Sequence, residues 1–354
     1  MSRFFSRKFD SLTPYTPGEQ PKGISYIKLN TNESPFPPPP LVQQYVKAEA
    51  RNLQRYSDPQ CRDLVAIASE KLGLDPQQIL FTNGSDEILN FAFMAFCDDA
   101  HPAVFPDITY GFYPVFAQVN NVPYIEIPLQ EDFSIRVEDY IGLNHTIFIA
   151  NPNAPTGLAL PISDIERIVA GNPDSVVVID EAYVDFGAES ALPLIKKYDN
   201  LLVTQTFSKS RSMAGARLGF GAGNQKLIQD LNTIKYSTNP YNVNRMTMAA
   251  GIGALEADGY FRVNCQKIIE NRDWITMELI KLGFFVVPSM TNFVFAKFPG
   301  MPGRTLNLAL REKGILVRHF DTDKLRDYNR ITIGTREQMK ALVAALREIL
   351  EVSP

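Results

Sequence analysis

Residues 175–186 read SVVVIDEAYVDF. After Ser175 the run to Ile179 is continuously apolar, where a half-buried strand would alternate. It therefore predicts a central parallel strand buried on both faces. The strand ends in Asp180, with Tyr183 three residues on. A carboxylate at such a place is costly without a partner. A protonated pyridinium nitrogen would be one, through a charge-assisted hydrogen bond worth about 1.5–3 kcal/mol. Capping the following turn is the plainer use of the same residue.

Working outward, similar short runs bounded by turn residues predict further strands: PAVFPDITY (102–110), PYIEIPL (123–129), HTIFIANPN (145–153) and NLLVTQTFSK (200–209). YGFYPVFAQVN (110–120) and ISDIERIVAG (162–171) fall between them with helical spacing. Strand and helix in alternation predict a doubly wound, mostly parallel α/β sheet that takes ligands at the carboxyl ends of its strands. Before it, QILFTNGSDEILNFAFMAFC (78–97) reads as strand, glycine turn and apolar helix, and 41–72 as helical around RYSDPQC. From about Asn244 a long helical stretch precedes short strands (FFVVPS, NFVFAKF, ILVRHF, RITIG) and the amphipathic helix REQMKALVAALREILEV (336–352). The expected organisation is an extended Pro-rich arm (1–40), a large domain (41–243) and a smaller α+β domain (244–354).

Bulk composition removes several classes. The 354 residues are 45% hydrophobic and 21% charged, enough for a large core. A net charge of -4 carries no polyanion-binding signature, so nucleic acid is not expected as a partner. Cys61, Cys97 and Cys265 form neither a CxxC nor an even framework, and His101, His145 and His319 lack metal-ligand spacing, so neither a disulfide scaffold nor a metal is expected. The basic start lacks an apolar h-region and no apolar run approaches a membrane span, which predicts a cytoplasmic protein. GFGAGN (219–224) has no Lys-Ser/Thr and is not a phosphate loop, and no GxSxG elbow is present.

What remains is a series of strand-end signals. NGSDE (83–87) opens a helix, so Gly84, Ser85 and Asp86 could hold a phosphate against the helix dipole, or simply cap it. ITYGFYP (108–114) offers Tyr110 as an aromatic face for a planar ring, or as a core tyrosine. NPNAPTG (151–157) is a rigid turn whose asparagines a plain turn leaves unexplained. TFSKSRSMAGARLGF (206–220) sets Lys209 at a strand end beside Thr206 and Ser208, with Arg217 two helical turns away. That suits a lysine Schiff base beside an anion site.

Together with the arm LTPY…IKLNTNESPFPPPP and the ending ILVRHF…RITIGTRE, these motifs resemble the pyridoxal-phosphate-dependent aminotransferases of fold type I, class II, nearly end to end. Within that family they resemble the branch acting on histidinol phosphate. The resemblance implies a Schiff base on Lys209, Asp180 on the pyridine nitrogen, Tyr183 on the phenolic oxygen and Tyr110 against the ring. It implies the phosphate among Gly84, Ser85, the Asp86 backbone, Thr206, Ser208 and Arg217, with Tyr56 reaching in from the other subunit of a homodimer with shared sites. Arg336 would bind the carboxylate of glutamate, and Arg318 with Tyr15 the phosphate of histidinol phosphate, in a ping-pong cycle with 2-oxoglutarate. Where the family motif reads NPNNPTG, this sequence has Ala154, which leaves Asn153 as the expected amide donor. Two related activities stay open at this level: transamination of phenylalanine or tyrosine, and decarboxylation of threonine phosphate. A cofactor-binding regulatory domain is disfavoured by the intact Asp180–Lys209–Arg217 set.

Overall fold

A computed structural model describes residues 2–10, 12–21 and 26–351; Val352, the last residue of the expected closing helix, lies outside them. Its strands form two sheets. The first strand, β1 (Ile27–Leu29), comes from the expected arm and joins the smaller sheet. The large sheet holds β2 (Ile79–Thr82), β3 (Ala103–Pro106), β4 (Tyr124–Ile127), β5 (Thr146–Ala150), β6 (Val177–Asp180), β7 (Leu201–Thr206) and β8 (Gly219–Gly223), in the order 2-8-7-6-5-3-4. All its pairings are parallel except those of β8.

The continuous apolar run of β6 has the two-faced role expected of it. Val177 and Ile179 point into one core cluster, with Leu64 and Val65 of α2 (Arg62–Leu72) and Ile165 and Ile168 of α5 (Ile162–Ala170). Val178 points into the other, with Leu89 and Phe93 of α3 (Ser85–Phe96), Phe116 of α4 (Tyr113–Asn120) and Leu231 of α6 (Gln225–Thr238). Burying each such side chain stabilises the fold by about 1.5–3 kcal/mol, and here both faces contribute.

β8 is the element that the sequence does not announce. Glycine weakens a strand, and this one has three in five residues. The reason is the approach of α3: a Cβ on Gly219 would sit 2.4 Å from the Ser85 amide nitrogen, and one on Gly221 3.0 Å from Ile88. Only a strand bare of side chains on that face lets the start of α3 rest against the sheet.

The smaller sheet adds β9 (Phe285–Val287), β10 (Phe293–Lys297), β11 (Ile315–His319) and β12 (Tyr328–Thr332), in the order 1-11-12-10-9. It is covered by α8 (Asp258–Lys281), α9 (Gly303–Glu312) and α10 (Arg336–Glu351). The remaining helices, α1 (Pro40–Glu49) and α7 (Arg245–Glu256), pack on each other, with Gly253 against the Leu41 backbone. Ala250 and Ala254 of α7 lie in the large-sheet core, so the chain leaves that core only at α8. No helix among the described residues is long and apolar enough to cross a membrane.

Candidate active site

β2, β3, β5, β6 and β7 end at the same edge of the large sheet, and their following turns enclose a cavity of about 170 Å3. Its lining includes Ser85, Asp86, Tyr110, Ala154, Asp180, Tyr183, Thr206, Ser208, Lys209 and Arg217, ten residues from six separate stretches of sequence. Thr31 and Glu33 complete it from the arm.

Asp180 closes the floor. Its carboxylate accepts hydrogen bonds from the Tyr113 hydroxyl (3.2 Å) and the Ala182 amide (3.2 Å), and among the described residues no cation forms an ion pair with it. Burial, with the Asp86 carboxylate second, lifts its pKa to about 7 against the pull of those donors and of Lys209. A fully buried carboxyl on the edge of ionisation is a site waiting for a positive hydrogen-bond donor.

The anion end lies at the start of α3. Gly84 there has a φ of +84°, and a Cβ on it would sit 2.5 Å from the Arg217 guanidinium. The missing side chain lets Arg217 lie across the helix N-terminus, where the helix dipole already favours negative charge. Arg217 donates to Asp86 (2.9 Å) and Ser208 (3.2 Å), while Thr206 donates to Ser208 (3.0 Å). Asp86 also accepts from the Tyr110 hydroxyl (2.7 Å), which fixes that ring beside the cavity. Burial, then Asp86, keeps the Tyr110 phenol protonated by raising its pKa well above the usual range.

Lys209 enters from the turn after β7. Its Nζ donates to the Thr31 carbonyl at 3.3 Å and sits 5.8 Å from the Tyr183 ring centroid. The turn is braced on both sides: Ser210 donates to Asp185 (2.5 Å) and Ser212 to Ser34 (2.8 Å). A lysine held this way loses less freedom on meeting a ligand than one on a loose loop.

Outside the cavity a cleft of about 990 Å3 shares Thr31, Tyr110, Ala154, Tyr183 and Lys209 with it. Tyr15 of the arm stacks on Phe112 (4.2 Å) at its wall. Arg318 and Arg330 are directly opposite each other on β11 and β12, both line the cleft, and both lie 5.6 Å from the Phe320 ring centroid. Arg318 donates to the Thr16 (3.1 Å) and Pro17 (3.4 Å) carbonyls of the arm. Arg330 donates to the Asn30 carbonyl (3.3 Å), and its Nε is buried with no hydrogen-bond partner among the described residues.

Two expected site residues stand elsewhere, and Tyr56, expected to act from the other subunit, lies outside its own chain's cavity. Arg336 starts α10 with its guanidinium over Trp274 (4.7 Å), away from the cleft, so the arginine that faces the cleft near the C-terminus is Arg330. Asn153 is spent joining its turn to the segment after β3: it accepts from Thr109 (2.8 Å) and donates to Ile108 (3.0 Å) and Thr156 (3.0 Å). It does not line the cavity, whereas Ala154 does. Tyr56 is 79% exposed and stacks on Tyr241 (4.7 Å), outside its own chain's cavity. Conversely, Tyr113, Thr31, Asn32 and Arg330 hold positions that the motifs did not single out. Tyr113 stood within ITYGFYP, three residues after Tyr110, and helical spacing could have linked the two.

The model of aminotransferase class I and II matches residues 24–346. The chain belongs to the class I and II aminotransferases. It is 48% identical to a histidinol-phosphate aminotransferase of Brachyspira hyodysenteriae, covering 99% of this chain and 100% of that one. A histidinol-phosphate aminotransferase of Aromatoleum aromaticum is 47% identical over 99% and 100%. Among solved structures, the histidinol-phosphate aminotransferase of Sinorhizobium meliloti, in complex with pyridoxal-5'-phosphate, superposes with a TM-score of 0.88 at 25% identity, over 99% and 98%. The fold is thus that of a fold type I aminotransferase, a pyridoxal-phosphate-dependent family. The cavity fits that cofactor: an unpaired buried carboxyl for a protonated ring nitrogen, and a helix start with an arginine for a phosphate.

Proposed function

We propose that this aminotransferase interconverts L-histidinol phosphate and imidazole acetol phosphate, with glutamate and 2-oxoglutarate as its second pair, in histidine biosynthesis. The observation that carries the reading is the cross-strand pair Arg318 and Arg330 at the cleft wall. Like charges directly opposite on a sheet are destabilising, and burial already lowers the pKa of Arg330, with Arg318 adding to it. An anionic substrate group relieves both costs. Two adjacent guanidiniums suit a phosphate on one substrate and a carboxylate on the other.

The roles follow from position. Ser85, the Asp86 backbone, Thr206, Ser208 and Arg217 bind the cofactor phosphate at the start of α3. Asp180 holds a proton on the ring nitrogen, Tyr110 covers the ring and Tyr183 donates to its phenolic oxygen. When bound, pyridoxal 5'-phosphate supplies an electron-poor ring that takes up the electron pair left when the substrate carbon loses its proton. Lys209 Nζ would anchor the cofactor, and as a free amine would move the proton at the substrate α-carbon, worth about 10²–10⁴-fold.

Incubating the loaded enzyme and 2-oxoglutarate with histidinol phosphate, phenylalanine and threonine phosphate separately, and assaying glutamate and carbon dioxide, tests the reading. Histidinol phosphate should give the highest kcat/KM; phenylalanine turnover at an equal kcat/KM, or carbon dioxide from threonine phosphate, would replace it. Arg330→Ala should raise KM for glutamate by about 10–100-fold, as loss of a charged hydrogen bond of about 1.5–3 kcal/mol implies. Arg336→Ala should leave KM within about two-fold, because its side chain lies over Trp274.

The proposal extends to a homodimer with shared sites. Tyr56 and Tyr241 form an exposed aromatic pair, and Leu53 and Tyr236, three and five residues from them in sequence, are also exposed, a surface suited to a second copy of the chain. Tyr56→Phe should weaken cofactor binding several-fold by equilibrium dialysis. Unchanged affinity would remove Tyr56 from the site. A division into an arm, a large domain and a smaller domain is proposed on the same terms, with the expected boundary at 243/244 shifted past α7, because Ala250 and Ala254 pack in the large-sheet core.

A further inference from the structure

Asn32 lies in the Pro-rich arm, is 1% exposed, and holds a φ of +55°, a left-handed conformation that asparagine tolerates better than most residues. Every polar group of its side chain and backbone is engaged. Its backbone N–H donates to Thr332 Oγ1 (3.0 Å), and Thr332 Oγ1 in turn donates to Asn32 Oδ1 (3.0 Å). Its carbonyl accepts from Asn292 (2.9 Å). Its side-chain NH2 donates to the Tyr183 hydroxyl (2.9 Å).

The direction of that last bond matters. Because the Asn32 N–H fills a lone pair of Thr332 Oγ1, the threonine proton goes to Asn32 Oδ1, and the amide presents its NH2 to Tyr183. The Tyr183 oxygen then accepts from Asn32, so its own single proton has to be donated elsewhere. Tyr183 lines the cavity, and the neighbouring turn residue there is Ala154, which has no polar side chain.

We propose that Asn32 is a positioning residue that keeps the Tyr183 hydroxyl proton aimed into the cavity, supplying from the arm the amide that Ala154 lacks. Thr31, the residue before it, accepts from Lys209, so one turn of the arm touches both the amine and the phenol of the site. Arm docking through β1 and Thr332 thereby becomes a condition for the correct hydrogen bond to the cofactor's phenolic oxygen.

The inference rests on the cofactor reading above, and the test separates the two. Asn32→Asp keeps shape and left-handed tolerance, but replaces the NH2 donor with an acceptor and turns the Tyr183 proton away from the cavity. A hydrogen bond given to a phenolate-type oxygen stabilises the unprotonated, charge-spread form of the bound cofactor. Losing it should raise the pH midpoint of the cofactor's visible absorbance by about one unit. The same substitution in a Tyr183→Phe background should move the midpoint no further. An unchanged midpoint in Asn32→Asp, or an equal shift in both backgrounds, would overturn the inference. Should Asn32→Asp lose its fold by thermal denaturation of the apoprotein, Thr332→Val supplies the second arm. It frees the amide to rotate, and a smaller rise that again vanishes with Tyr183→Phe is expected, while no rise counts against the role. Wild-type protein that takes up no cofactor at all would instead sink the cofactor reading.

Discussion

Replacing Lys209 with alanine should lower turnover of histidinol phosphate by at least about 10⁴-fold while leaving the fold intact. Two functions are lost at once: the amine that anchors the cofactor and the base that moves the substrate proton, the second alone worth about 10²–10⁴-fold. The fold should survive because the turn has other anchors, Ser210 on Asp185 and Ser212 on Ser34, and Lys209 itself gives up only a 3.3 Å hydrogen bond to the Thr31 carbonyl. Borohydride reduction followed by peptide mapping should trap cofactor on Lys209 in the wild type and on no lysine in the variant. A Lys209→Ala enzyme turning over at the wild-type rate would reject the assignment.

Asp180 was legible in the sequence because it ends an apolar run, where a charge has no ordinary reason to be, and Lys209 because it follows a strand end among hydroxyls with Arg217 eight residues on. Arg330 was not, although it lies in the quoted run RITIG. Its neighbours are apolar, and only the alternation of β12, with the pairing to Arg318, turns it to the cleft. Arg336, six residues on, sits in a more conspicuous polar stretch but opens a helix and meets Trp274. Asn32 was hidden for another reason. Proline and asparagine in the arm predict an extended segment, and nothing in local spacing says that 300 residues later Thr332 fixes the amide. β8 was missed because the sheet needs glycine there for the sake of α3, a demand made by tertiary packing against local propensity. Strand ends could be read locally; residues whose role depends on a distant neighbour could not.

Asp180→Asn should separate stability from activity most sharply. Without cofactor, Asp180 has a pKa of about 7, against 3.8 for an ordinary aspartate. The folded state therefore binds a proton that the unfolded chain releases between about pH 4 and 7. Stability from this group is intact below pH 4 and declines as the pH rises through 7, by about 4 kcal/mol at pH 8. Asparagine removes that decline, so the apo variant should match the wild type near pH 4 and exceed it at pH 8. Urea unfolding at the two pH values measures the difference. Buried Glu181, also lifted to about 7 by burial, gives a slope of the same sign in both proteins, so only their difference isolates Asp180. The loaded enzyme should behave oppositely. A neutral amide cannot keep the ring nitrogen protonated, and turnover should fall by about 10²–10³-fold, the usual cost of losing one preorganised electrostatic partner. A carboxyl that destabilises the empty fold at neutral pH and is required once the cofactor is bound is retained for chemistry rather than for packing. Equal pH dependence in the two apoproteins would mean that Asp180 is already ionised and paired without the cofactor.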